Sequence, residues 1–362
     1  MPSSTSSSEP GRVDEAFYER PLPARDLDVA GLIAFVLLVL GLVGWEAYWR
    51  AYGAVPGYRN SFGQWAIERR RIDHGEGGRT VIAGSSRMLF DVQLPVWERL
   101  AGERPIQLAL EGTSPVPLLE DLAADPDFTG RLLVGVAPDL FFTGFSYRGK
   151  AFQVYREETP SQRVGQWLSM TLLEPWLAFY DEDFALMTVL KRQPWPPREG
   201  VLVFEDVRKL SVSARDRSTR MWHKVASDSA YASMAQRIWA QGFDVPPEGG
   251  PEASRKTRDE QIERAAAAVR KLQARGVEVI FVRPPSDDRY LAFENREFPR
   301  AETWDVLLRK SGAPGIHFED HPELQGYRLP EWSHMSAEEA DRFTAALHGV
   351  VERVRNARRT GG

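Results

Sequence analysis

The sequence predicts an α/β domain carried behind one membrane-spanning helix. Three observations lead there. Short β-branched runs alternate with helix-like segments after residue 78, an uncharged apolar stretch lies near the N-terminus, and 43% of the 362 residues are hydrophobic. That much apolar side chain supplies one large core or two smaller ones. The formal net charge of -5 argues against a general nucleic-acid binder, because such proteins carry a basic excess that neutralises phosphates. There is no cysteine, which excludes disulfides, thiolate metal sites, iron–sulfur clusters and cysteine nucleophiles.

Residues 1–28 are polar, with a Ser-rich run from Ser3 to Ser8, and read as a disordered tail. Residues 29–49 follow as a membrane anchor. Val29 to Trp45 carries no charge over 17 positions, which at about 1.5 Å per residue spans roughly 26 Å, close to a thin hydrocarbon core. Trp45, Tyr48 and Trp49 stand where an interfacial aromatic belt belongs, and Arg50 closes the segment. A buried core helix is disfavoured because no face is polar. A cleaved signal peptide is disfavoured by the long tail and by Glu46 and Arg50 before the small residues at 51–53. The flanking arginines, Arg12, Arg20 and Arg25 against Arg50 and Arg59, leave the orientation nearly balanced. Residues 50–78 read as an amphipathic stalk. Its Arg69-Arg70-Arg71 run suits a solvated helix face or anionic head groups.

From residue 79 to 355 the chain reads as one α/β domain. Thr80–Ala83, Pro105–Leu110, Leu132–Val136 and Val277–Val282 are strand-like, with a weaker fifth run at Ile316–Phe318. Val116–Leu122, Arg258–Arg275 and Ala337–Val354 are helix-like. Such alternation predicts a parallel sheet covered on both faces, with its site at the carboxyl ends of the strands. Residues 146–257 interrupt the pattern and read as a mostly helical insertion. Trp167, Trp176, Trp195, Trp222 and Trp239 lie in it, beside Pro194-Trp195-Pro196-Pro197 and Pro246–Pro251. Packing is the ordinary role for such aromatics; a glycan-stacking or membrane-facing surface is the functional one. Residues 356–362 read as a tail.

No phosphate-cradling glycine loop, zinc-protease helix or calcium loop is present, so no cofactor or metal is expected. His317 and His321 flank the fifth strand without an evident third ligand. The nucleophile elbow of α/β-hydrolases fails too, because Met88 stands where that motif needs glycine. What remains is Gly84-Ser85-Ser86-Arg87 directly after the first strand, and Glu331-Trp332-Ser333-His334 before the last helix. A serine nucleophile needs a base within hydrogen-bond reach, and the base needs an orienting carboxylate. A carboxylate three residues before a histidine supplies both in one turn. Arg87 is a candidate for binding an anionic substrate group or for a structural ion pair. Ser336 and Glu339 form a capping box for the last helix.

This pair of segments resembles the SGNH (GDSL-like) hydrolase superfamily, which carries Gly-Asp-Ser after the first strand and Asp-x-x-His before the last helix. The resemblance covers residues 78–355 apart from the insertion. It implies a flavodoxin-like, three-layer fold with about five parallel strands in the order 2-1-3-4-5. It also implies Ser86 as nucleophile, His334 as base and Glu331 as orienting acid, with the backbone N–H groups of Ser86 and Gly112 binding the oxyanion. Val282-Arg283-Pro284-Pro285 matches the superfamily's proline-containing exit of the fourth strand. Three departures stand out. Ser85 replaces Asp, and Glu331 is one methylene longer than Asp. The third strand exits through Gly135-Val136-Ala137-Pro138-Asp139 without the superfamily's Asn, and Asn295 is out of register to replace it. Loss of one oxyanion donor costs about 100- to 1000-fold in turnover.

Membrane-anchored members imply a single-pass protein of the bacterial inner membrane with a periplasmic domain. They also imply O-acyl groups of a cell-envelope polysaccharide as substrate, and a multi-pass membrane O-acyltransferase as partner. The expected function is that of a serine esterase or O-acyltransferase. The alternatives are a non-catalytic scaffold or glycan-binding partner of such an acyltransferase, and a lipid esterase or thioesterase at the membrane surface.

Overall fold

The computed structural model describes residues 26–196 and 205–361. Most of the expected disordered tail therefore lies outside the described residues, as does the end of the Pro194–Pro197 run. Two compact units divide at Tyr52 and Gly53.

The first is the helix Asp26–Tyr52. Its 27 residues extend roughly 40 Å at about 1.5 Å each. The mean hydropathy of its most apolar window is 2.5, and it is long and apolar enough to cross a membrane. Its leucines and valines from Leu32 to Val43 are exposed.

In the second unit five strands form a parallel sheet: β1 (Thr80–Ala83), β2 (Ile106–Gln107), β3 (Arg131–Gly135), β6 (Glu278–Arg283) and β7 (Gly315–His317). Their spatial order is β2-β1-β3-β6-β7, which is 2-1-3-4-5 when counted within the sheet. The β1 register pairs Val81 with both Ile106 and Leu132. The core strands are buried on both faces, which is why they read as continuous apolar runs rather than as alternating ones. Val81, Leu132, Val134, Val279 and Phe281 join one apolar cluster with Leu119, Val269 and Leu272 from the helices Val116–Ala124 and Gly250–Ala274. Ile82, Leu133 and Ile280 alternate with them and are equally buried. The helix Ala337–Gly361 packs against Ser86–Asp91 and Leu94–Ala101.

Three expectations need correction. Residues 53–78 are no stalk: the helix Phe62–Arg71 belongs to the domain, with Trp65 and Ala66 buried. The Arg69–Arg71 run is tied into ion pairs within the domain. Arg69 is buried among Asp73, Asp121 and Asp125, Arg70 pairs with Glu158, and Arg71 with Glu68 and Glu76. Runs of arginine carry no sign of partners supplied from distant sequence. Residues 356–361 are no loose tail either, since the last helix runs on to Gly361.

The insertion is mostly helical, but it also holds an antiparallel hairpin of β4 (Ser211–Ser213) and β5 (Thr219–Met221). Its last expected residues already belong to the helix Gly250–Ala274. The hairpin has a structural task. Arg217 in its turn donates to the carbonyls of Gln107 and Ala109, both at 2.7 Å. It thereby covers the outer edge of β2, which otherwise presents unpaired backbone groups.

Candidate active site

The strand order reverses direction at β1. Connections leave β1 and β2 toward opposite edges of the sheet, so β1 and β3 flank the switch point at whose carboxyl ends such sheets place their sites. Ser86 sits there as the first residue of the helix Ser86–Asp91. The turn that places it is tight. Gly84 has a φ of +144°, and a Cβ on it would lie 2.6 Å from Met88 Cγ. A Cβ on Gly135, at the end of β3, would lie 2.0 Å from the same atom. Met88 therefore lies across two glycines from adjacent strands, which accounts for a large residue where the hydrolase elbow has none. Ser86 is partly exposed, while Ser85 and Arg87 beside it are buried.

The loop before the last helix is fastened to this short helix. Ser333 Oγ accepts from Arg87 Nε at 3.2 Å, and Asp91 Oδ1 accepts from Met335 N at 2.9 Å. The His334 ring lies on Phe90 with centroids 4.4 Å apart. Phe90 is four residues after Ser86, hence on the same face one turn further on. Glu331 and His334 are both buried. Glu331 Oε1 accepts from His334 Nδ1 at 2.8 Å and from His334 N at 2.6 Å. A positive φ of 72° at Trp332 folds the chain back so that a carboxylate three residues earlier meets the ring. Since a carboxylate only accepts, Nδ1 carries a proton, and in the neutral ring Nε2 holds the free lone pair. Nε2 is buried and has no hydrogen-bond partner among the described residues, so the Ser86–His334 bond is not closed in this state. Catalytic hydrogen bonds often tighten only with substrate bound.

Gly112 lies just beyond β2. Leu110 N donates to Gly84 O at 2.9 Å, which sets the exits of β1 and β2 side by side. Gly112 adopts a φ of +54° and its carbonyl accepts from Tyr147 N at 2.9 Å. Among the described residues its own N–H donates to no protein acceptor. After β3, Asp139 accepts from the Tyr290 hydroxyl at 2.7 Å. Burial and the neighbouring Glu294 push the Asp139 carboxyl up.

Arg87 takes the ion-pair role, not the substrate-binding one. It is buried, donates to Glu294 Oε1 at 2.8 Å and lies 4.9 Å from the Tyr290 ring centroid. Arg283 reaches the other oxygen of Glu294 at 2.7 Å. Burial alone would raise the Glu294 carboxyl, but Arg283 and Arg87 outweigh it and hold the group below its ordinary value.

Two contributors escaped the sequence reading. Trp239, from the insertion helix Ser229–Ala240, donates its indole N–H to Glu331 Oε2. Gln236 on the same helix donates to Pro330 O at 2.9 Å. The insertion thus supports Glu331 from 92 residues away, and no local spacing signals that. The other is Asp91, which holds the loop through Met335.

Asp91 also makes stability depend on pH. Burial pushes its carboxyl up to about 7, against the pull of His334 and the Met335 N–H. The folded chain therefore keeps a proton that an unfolded Asp releases near pH ~3.9. Stability falls as pH rises from about 4 to about 7 and is level above that. Asp91→Asn retains an acceptor for Met335 N and removes the titration. Urea unfolding between these pH values is expected to show a flatter dependence for the variant, and an unchanged slope contradicts this assignment.

No protein-family model matches this chain. No curated protein matches it at a significant level.

Proposed function

We propose that the chain is a membrane-anchored serine esterase or O-acyltransferase of the SGNH type. It acts on O-acyl groups of a cell-envelope polysaccharide through an acyl-Ser86 intermediate, with its domain on the extracytoplasmic side. The observation that carries this reading is the buried Glu331–His334 pair, whose imidazole ring lies on Phe90 of the helix that Ser86 begins. The strand order and the placement of both segments at the carboxyl ends of the sheet support it.

In this mechanism Ser86 Oγ attacks the ester carbonyl as His334 Nε2 takes its proton. The N–H groups of Ser86 and Gly112 face the oxyanion. Collapse breaks the bond to the leaving alcohol, which receives the proton from His334, and leaves the acyl group on Ser86. Water or a sugar hydroxyl then attacks the acyl-serine and loses its proton to His334, which returns it to Ser86 Oγ as the acyl–Oγ bond breaks. Water completes an esterase and a hydroxyl completes a transferase. A multi-pass membrane O-acyltransferase would supply acyl groups to such a partner. The missing Asn after β3 favours a second reading, a scaffold that keeps the fold without the chemistry.

A fluorophosphonate probe separates the two. Its phosphorus bonds to an activated serine oxygen with loss of fluoride. The full chain in lipid nanodiscs is expected to be labelled, and Ser86→Ala is expected to remain unlabelled. A folded wild-type chain that takes no label supports the scaffold.

A further inference from the structure

Two helices of the insertion turn their apolar sides to solvent. In Pro160–Leu172, Val164, Trp167, Leu168 and Leu172 are exposed, Trp167 by 56%. They fall four, and three or four, residues apart, which is one helical face. The face turned to the domain holds Gln166, Ser169 and the buried Met170. Gln166 meets Ser61 Oγ at 2.8 Å, and Ser169 Oγ donates to Glu174, whose other oxygen accepts from Arg59 N at 2.9 Å. The next helix, Leu186–Lys191, buries none of its residues and exposes Leu186, Met187 and Leu190, Met187 by 64%. A helix docked through so few residues, with four large apolar side chains left in solvent, presents an apolar surface that calls for a partner.

Chain continuity says which partner. Gly53 is next in sequence after the apolar helix, and its carbonyl accepts from Trp222 Nε1 at 3.0 Å. The Trp222 ring lies 6.0 Å from that of Phe184, two residues before the second exposed helix. The first exposed helix is docked on residues 59–63. From Tyr52 to Ser61 the chain reaches at most about 32 Å even when fully extended. Both apolar faces are thus fastened to the few residues that leave the helix.

We infer that the insertion helices Pro160–Leu172 and Leu186–Lys191 lie on the lipid bilayer as a second membrane contact beside the spanning helix. This rests on the reading of Asp26–Tyr52 as the anchor. Interfacial helices bind through just such an apolar face at the head-group boundary. Two contacts on one rigid domain fix its rotation above the membrane, where one flexible tether would not. The candidate site around Ser86 is then held in one attitude toward the membrane.

The absence of cysteine permits single-site labelling of the full chain. An environment-sensitive fluorophore is placed by Leu172→Cys, Met187→Cys, Leu38→Cys or Arg309→Cys, and each protein is reconstituted in nanodiscs with and without spin-labelled (doxyl) lipid. All four positions are exposed in the structure, so the fold is spared. The labels at 172 and 187 are expected to lose most of their emission to the doxyl lipid, as is the label at 38. The label at 309, on the helix Trp304–Ser311 beside the opposite sheet edge, is expected to keep its emission. Quenching at 38 without quenching at 172 and 187 overturns the second contact and leaves the anchor standing. No quenching at 38 overturns the anchor and this inference with it. Labels at 172 and 187 that are shielded from aqueous iodide yet untouched by doxyl lipid assign the face to a protein and also overturn the proposal.

Discussion

Glu331→Gln is expected to lower ester turnover by roughly 10³- to 10⁴-fold while the fold survives, as loss of the orienting carboxylate does in serine hydrolases generally. Glu331 receives three N–H groups, from His334 Nδ1, His334 N and Trp239 Nε1. A glutamine offers one accepting oxygen to them. With its oxygen toward His334, its amide N–H₂ confronts the Trp239 indole N–H. With the amide reversed, it faces Nδ1 and favours the tautomer whose Nε2 carries the proton and cannot act as base. Trp239→Phe tests the same support more gently. It keeps an aromatic ring and deletes one charge-assisted donor, a bond of about 1.5–3 kcal/mol. Steady-state kinetics on an activated acetyl ester, with circular dichroism as a check on folding, reads both variants. A Glu331→Gln chain with wild-type turnover contradicts the assignment of Glu331 as the orienting acid.

Glu294→Ala is expected to destabilise the domain by about 3–5 kcal/mol, the cost of leaving a buried charge without its partner. Glu294 is buried and is shared by two buried arginines, Arg87 and Arg283. Its removal leaves both guanidinium groups short of a counter-ion beneath the candidate site. Arg87 also holds Ser333, so the loop that carries His334 is expected to loosen and turnover to fall with stability. The comparison is Glu297→Ala, which breaks an exposed pair with Arg296. Exposed pairs contribute only about 0–1 kcal/mol. Denaturant titration of both variants decides the matter, and equal, small losses contradict a role for Glu294 as the keystone of the buried network.

The parallel sheet was legible because its strands bury both faces. Thr80–Ala83 is β1 to the residue, and Leu132–Val136 and Val277–Val282 differ from β3 and β6 by one residue at each end. The β2 run was harder, since its ladder hydrogen bonds to β1 extend to Leu110 while the regular strand is only Ile106–Gln107. Short-range chemistry was legible as well: Glu331 and His334, three residues apart, do pair. Long-range chemistry was not. The arginines at 69–71 looked solvated because their carboxylates stand as far away as Asp121, Asp125 and Glu158. Trp239 looked like packing because its acceptor belongs to the other end of the domain. The hairpin of β4 and β5 is three residues per strand, too short for an alternating pattern to register.

The central claim is that Ser86 is activated by His334. The most direct measurement locates the phosphonyl group by peptide mass spectrometry after fluorophosphonate treatment of the full chain in nanodiscs, with His334→Ala treated in parallel. One adduct, on Ser86, is expected in the wild-type protein, and none in His334→Ala. An adduct on another serine, or equal labelling of Ser86 with and without His334, contradicts it.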